Sequence, residues 1–191
     1  PIDGGCATSP SGAAMGDVRV GARVQLLRQD GLWPGAAVAM TTWFPSGDSG
    51  AYASSGYVRY APSLVIGASD DILVYSATVG RRFDPADATL LGDELFFGAG
   101  VGPRIGDLLI SAELVGATDV GPRQRPFRHG TTHLEAHLGL RYDLGPVRFQ
   151  AMGGPGLTTA PGTPDWRLGL FIGYVPPADP VDASDEPPER Y

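Results

Sequence analysis

Lysine and asparagine are absent from this sequence, and cysteine occurs once, as Cys6. A lone cysteine excludes an internal disulfide, and no paired Cys or His set for a structural metal accompanies it, so Cys6 reads as an unpaired loop residue. Arginine carries every basic charge apart from three histidines, a bias that fits a high-GC genome and carries no mechanistic weight. Charge is scarce altogether: Asp, Glu, Lys and Arg make up 18% of the chain, against about 25% in ordinary soluble domains. The net charge of −7, with no basic patch, argues against a nucleic-acid binder. No apolar run approaches the roughly 18 to 20 residues that a transmembrane helix needs. The opening PIDGGCATSPSG has neither the basic nor the apolar region of a signal peptide. No G-x-S-x-G elbow is present. Ser46, Asp119 and His129 therefore read as polar loop residues, and no catalytic group, metal or cofactor is expected. The glycines of GAGVG (98–102) and MGGPG (152–156) precede no helix, so they read as relief of crowding in a curved sheet rather than as phosphate loops.

What the chain does have is alternation. In THLEAHLGLRY, Leu134, Ala136, Leu138, Leu140 and Tyr142 occupy one set of positions, and His133, Glu135, His137, Gly139 and Arg141 the other. Period two belongs to a β-strand, whose successive side chains point to opposite faces. The pattern recurs at 18–26, 36–44, 57–68, 72–80, 94–101, 108–116, 147–153 and 166–174. These nine segments predict an all-β, antiparallel chain of nine strands, each near the length a tilted strand needs to cross a bilayer. No segment of helical period competes. The 28 glycines and 18 prolines suit a chain of many short strands with turns between them.

The connections alternate as well. Short turns are predicted at 29–32, 69–71, 102–106 and 143–146, and long loops at 45–56, 84–93, 117–131 and 155–165. Outer-membrane barrels keep this rule, with tight periplasmic turns and longer extracellular loops. On this reading the apolar set faces lipid, and the lumen collects Arg19, Arg23, Arg59, Glu94, Glu113, His133, Glu135, His137, Arg141, Arg148 and Arg167. So many ionisable groups in one dry soluble core would each cost several kcal/mol, although a solvated face would also accommodate them. Trp43, Phe44, Tyr142, Trp166 and Tyr174, near strand ends, fit interfacial girdles.

His133-x-Glu135-x-His137 places three ligand-type side chains on one strand face, but about 6.6 to 7 Å apart, which is wide for a shared ion. A hydrogen-bond and salt-bridge network with Arg141 and a neighbouring strand's Arg148 or Glu113 is the preferred reading over a metal. With 143–146 as a turn, Arg141 falls beside Arg148, and Glu135 or Glu113 is the expected acid between them. After Tyr174 the sequence becomes VPPADPVDASDEPPERY, acidic and Pro-rich, which reads as a linker.

The segments GDVRVGARVQLL, TTHLEAHLGLRYDLG and GTPDWRLGLFIGYVPP resemble the N-terminal barrels of OmpA-family outer-membrane proteins from high-GC Gram-negative bacteria. The resemblance covers residues 16–177. It implies a transmembrane barrel at 16–175 followed by a periplasmic linker at 176–191, and counting back through nine strands from a periplasmic end places 1–15 as an extracellular segment. The family's barrel leads to a peptidoglycan-binding domain, which is not among these residues. The implied partners are therefore outer-membrane lipid, peptidoglycan through such a domain, and other envelope proteins. Single-chain bacterial barrels have even strand numbers, so nine strands imply an odd number more, giving about twelve with three, or a count that differs by one. Three functions follow as expectations: an outer-membrane anchor or structural protein, a porin-like passive channel for small anionic solutes, and a soluble β-barrel holding a small apolar ligand.

Overall fold

A computed structural model describes residues 15–48, 54–85, 93–121, 125–128, 130–160 and 163–175. The segment 1–14 with Cys6, the loop residue His129 and the acidic stretch 176–191 lie outside the described residues. Alternating sequence yields strands throughout: β1 (Val18–Leu27), β2 (Gly35–Phe44), β3 (Arg59–Ser69), β4 (Leu73–Arg82), β5 (Glu94–Ile105), β6 (Leu108–Asp119), β7 (Thr132–Leu144), β8 (Val147–Pro155) and β9 (Trp166–Tyr174). They form one antiparallel sheet in chain order, β1 to β9, and no helix occurs among the described residues. The all-β class and the nine strands match the sequence reading. The nine strands do not close on themselves: β1 pairs only with β2 and β9 only with β8, so among the described residues the sheet is open.

Cross-strand register keeps the two faces of the sheet separate. Glu113 faces His137 and Val115 faces Glu135 between β6 and β7, while Leu114 faces Ala136 on the opposite side. The same parity runs from Val20 opposite Thr42 in β1 and β2 to Ala151 opposite Leu170 in β8 and β9. The result is one apolar face and one polar face, and burial is inverted relative to a water-soluble domain. On the apolar face of β9, Leu168, Leu170 and Ile172 are 76%, 75% and 78% exposed, whereas Glu94, Glu135 and His137 on the polar face are 8%, 8% and 4% exposed. No second layer of described structure covers the polar face, so the sheet's own curvature, helped by loop residues, shields it.

Strand ends extend past the limits read from sequence. β5 continues through Gly102, Pro103, Arg104 and Ile105, and only Gly106 and Asp107 turn. β7 runs to Leu144, leaving Gly145 and Pro146 as its turn to β8. Gly106 (φ 60°) and Gly145 (φ 57°) adopt the left-handed conformation that such two-residue turns require, which L-residues with a Cβ reach only at a cost. The glycines of the two Gly-rich segments sit where strands approach closely. A Cβ on Gly102 would run into the carbonyl of Ile110, and one on Gly154 into that of Ala136.

Candidate functional site

The polar face carries the chemistry. Period two alone puts Arg19 and Arg23 (β1), Arg59 (β3), Glu94 (β5), Glu113 (β6), His133, Glu135, His137 and Arg141 (β7), Arg148 (β8) and Arg167 (β9) on it, as the register shows. The face is organised as separate clusters wired between adjacent strands and between strands two apart.

The first cluster lies at the end of the sheet with the long loops. Arg59 Nη2 donates to Asp17 Oδ2 at 2.8 Å, and Arg82 Nη1 to Glu94 Oε2 at 2.5 Å. Both guanidiniums lie over the ring of Trp43, at 5.9 and 5.4 Å from its centroid, close enough for cation–π attraction. This corrects one expectation: Trp43 is on the polar face opposite Arg59, not in an outward girdle. Register turns it inward, because Phe44 takes the outward position beside Val18. The Ser54 hydroxyl, then the Gly47 amide and the Arg59 guanidinium, hold the Asp17 carboxyl below its usual value against the opposing effect of burial. At the other end of the sheet, the backbone amides of Leu73 and Ile72 do the same for Asp70, which caps the β3–β4 turn with bonds of 2.6 and 2.8 Å.

The second cluster centres on Glu135. Arg167 approaches it as a fork, Nε to Oε2 at 2.7 Å and Nη2 to Oε1 at 3.0 Å, while His137 Nε2 lies 3.0 Å from Oε2. His133 turns away to Thr163 at 3.2 Å. The His-x-Glu-x-His motif is thus divided between two different hydrogen-bond sets, with Arg167 supplied by β9. Arg141, Arg148 and Glu113, the partners expected for this motif, are absent from it. No group of three or more His, Cys, Asp or Glu side chains converges among the described residues.

The third cluster corrects the expected acid between Arg141 and Arg148. That acid is Asp143, which takes Arg148 Nε at 2.7 Å and Nη2 at 3.2 Å and stands 3.5 Å from Arg141 Nη2. Arg148 is opposite Asp143 and Arg141 is opposite Gln150. Glu113 instead accepts a bond from Ser111 at 3.1 Å. It lines a cavity of about 280 Å³ with Ser76, Thr78, Ser111, Arg141 and Gln150, room for several waters at about 30 Å³ each.

Sequence reasoning missed Asp17, Arg82, Arg104 and Asp143. Each lies just outside the strand limits read from sequence, yet each continues its strand's alternation, which was the available signal. Arg104 bonds Ser69 at 3.0 Å across two strands. Arg81 faces the other way and pairs with Asp93 at 2.6 Å. No family model, curated protein or solved structure matches this chain.

Proposed function

We propose that residues 16–175 form the wall of a transmembrane β-barrel in an outer membrane, and that its role is that of an anchor or structural protein. One observation carries the reading: the apolar face is the exposed one and the ionisable face the shielded one. In water such a surface invites aggregation, because contiguous apolar patches beyond a few hundred Å² are rare on soluble monomers. Against lipid the same residues contribute, since burying a Leu, Ile or Phe side chain is worth about 1.5 to 3 kcal/mol. Strands of about ten residues at a rise of about 3.3 Å, tilted by about 40°, span about 25 Å, the height of an outer-membrane barrel's apolar band. Outward aromatic residues stand near both ends of the strands: Phe44, Tyr60 and Trp166 at one, Tyr142 and Tyr174 at the other. A polar shielded face counts against the apolar-ligand alternative, which needs a greasy interior.

Between anchor and channel, the pairing of charges decides the preference. Arg59, Arg82, Arg148 and Arg167 are each tied to a carboxylate in or beside the wall, so they contribute little free positive charge to attract anions. The link to peptidoglycan, through a domain beyond these residues, belongs to the same proposal and stands on the OmpA-family resemblance alone. The test is reconstitution. The chain is expected to need detergent, to float with lipid vesicles and to migrate differently on a gel before and after boiling. Ready solubility as a monomer without detergent would sink the membrane reading. Large, steady, anion-selective conductance in a planar bilayer would replace the anchor by the channel.

A further inference from the structure

The edge strands carry information that the paired strands do not. Antiparallel strands alternate in direction, so β1 and β9, eight pairings apart in one unbroken series, run the same way. Pairing them directly would make a parallel contact. One strand antiparallel to both, or any odd number in series, would satisfy both free edges with the pairing used everywhere else in the sheet.

Charge then says what the strand beside β1 must bring. Of the arginines on the polar face, Arg59, Arg82, Arg104, Arg141, Arg148 and Arg167 each have an ion pair or hydrogen bond. Arg19 and Arg23 have neither among the described residues, and both are exposed. On the paired side of β1 they face Trp43 and Ala39, which offer no charge. The vacant side is where partners would stand, since opposed residues on one face of an antiparallel pair are about 4.5 to 5.5 Å apart. The polar face of β9 presents Arg167, Gly169, Phe171 and Gly173, with Arg167 already engaged by Glu135, so direct closure brings no free acid to β1. A second copy would offer the same arginines or the same β9. On the apolar face, Val18, Val20 and Val24 are exposed and call for apolar neighbours.

We propose that β1 is completed by an antiparallel strand that is apolar outward and carries inward carboxylates opposite Arg19 and Arg23, as one of an odd-numbered set spanning from β1 to β9. The inference goes beyond the membrane reading, because it rests on strand direction, on charge and on the exposed valines of β1. Its competitor is that the two inward arginines guard a bare edge against pairing.

The test uses the full chain, folded in detergent micelles, with its β-sheet circular dichroism and heat-dependent gel migration confirmed first. A folded sheet separates failure here from failure of the membrane reading. The probe is a fluorescent synthetic peptide of about eleven residues, the length of a spanning strand. It alternates Val with polar residues and has Glu at two inward positions four residues apart. Anisotropy should show this peptide binding about tenfold more tightly than its Gln counterpart, the effect of two partly screened ion pairs. The double variant Arg19→Glu, Arg23→Glu should exchange that preference for an Arg peptide. Equal binding of the Glu and Gln peptides, or none, by the folded sheet would overturn the proposal in favour of a guarded edge. An intramolecular disulfide in a Cys6→Ser, Gly21→Cys, Gly169→Cys chain would overturn it in favour of direct closure. A disulfide-linked dimer of Cys6→Ser, Gly21→Cys would overturn it in favour of a second copy.

Discussion

Replacing Glu135 by Gln is the sharpest probe of the charged wall. The carboxylate accepts two bonds from the Arg167 fork and lies against His137 Nε2. A glutamine keeps one acceptor oxygen but turns an amide donor towards a guanidinium donor, so one charge-assisted bond is lost outright. Bonds to charged groups contribute about 1.5 to 3 kcal/mol. The Glu135 side chain is 10% exposed while that of Arg167 is 51% exposed, so water recovers part of the loss on the arginine side. The net cost should be about 2 kcal/mol, or about 4 to 8 °C in the midpoint of a chain this size. Glu113→Gln should cost about 0.5 kcal/mol, because Glu113 has only the Ser111 hydroxyl and borders a cavity that admits water. Asp71→Asn, in the exposed β3–β4 turn, should stay within about 0.5 kcal/mol of the parent. The assay is the temperature at which the folded gel band converts to the unfolded one. If Glu135→Gln shifted it no further than Glu113→Gln and Asp71→Asn, the fork would be fully solvated and the reasoning wrong.

Three further outcomes follow from the same geometry. Asp143→Asn removes the acid shared by Arg141 and Arg148 and should also cost about 2 kcal/mol; a double-mutant cycle with Arg148→Gln should show a coupling of about 1 kcal/mol, and additivity would break the cluster. Leu170→Arg, at the middle of the apolar face of β9, should destabilise the vesicle-inserted sheet by about 2 to 4 kcal/mol, while Phe171→Gln on the polar face should cost less than half as much; equal costs would mean that the apolar face does not meet lipid. The carboxyl pKa values of Asp17 and Asp70 are lowered in the folded state, so their contribution is present above the usual value of about 3.9 and is lost as pH falls through the folded values. The unfolding midpoint should therefore be flat from neutral pH down to about 5 and fall below about 4, and Asp17→Asn with Asp70→Asn should flatten that acid limb; an unchanged acid limb would show that these two carboxyls do not govern it.

How much of this was legible in the sequence depends on what alternation encodes. Period two fixes which residues share a face, so eleven ionisable positions on the polar face followed from the strands 18–26 to 166–174, while Asp17, Arg82, Arg104 and Asp143, beyond those limits, did not. It also fixes strand number, because each interruption is marked by Gly, Pro or an acidic turn. It does not encode where a strand stops. Gly102, Pro103 and Arg104 look like turn residues by composition, yet Val101, Pro103 and Ile105 continue the outward series and Gly102 and Arg104 the inward one. Proline is tolerated there because β5 and β6 form no pair at Gly102 and Pro103. Partners across strands that are not adjacent, such as Arg104 with Ser69 or Arg167 with Glu135, depend on curvature, which no local pattern carries.

The misassigned acid beside Arg141 shows how fine that limit is. A four-residue turn at 143–146 sets Arg141 opposite Arg148, two like charges in need of a third group. The two-residue turn at Gly145 and Pro146 slides the pairing so that Arg148 meets Asp143 and Arg141 meets Gln150. Both alternatives keep every residue on the same face, because only a one-residue slip exchanges faces. Face assignment is therefore robust to an error that rewires every ion pair in the hairpin. What selects the shorter turn is local: Gly145 accepts the positive φ that the turn demands. The register it imposes then gives Asp143 both arginines. Gly145→Ala, which opposes that φ, should cost about 1 kcal/mol and leave Arg141 and Arg148 on the polar face. A cysteine pair at Asp143 and Arg148 should still cross-link, and its failure to do so in the parent register would show that the turn does not set the pairing.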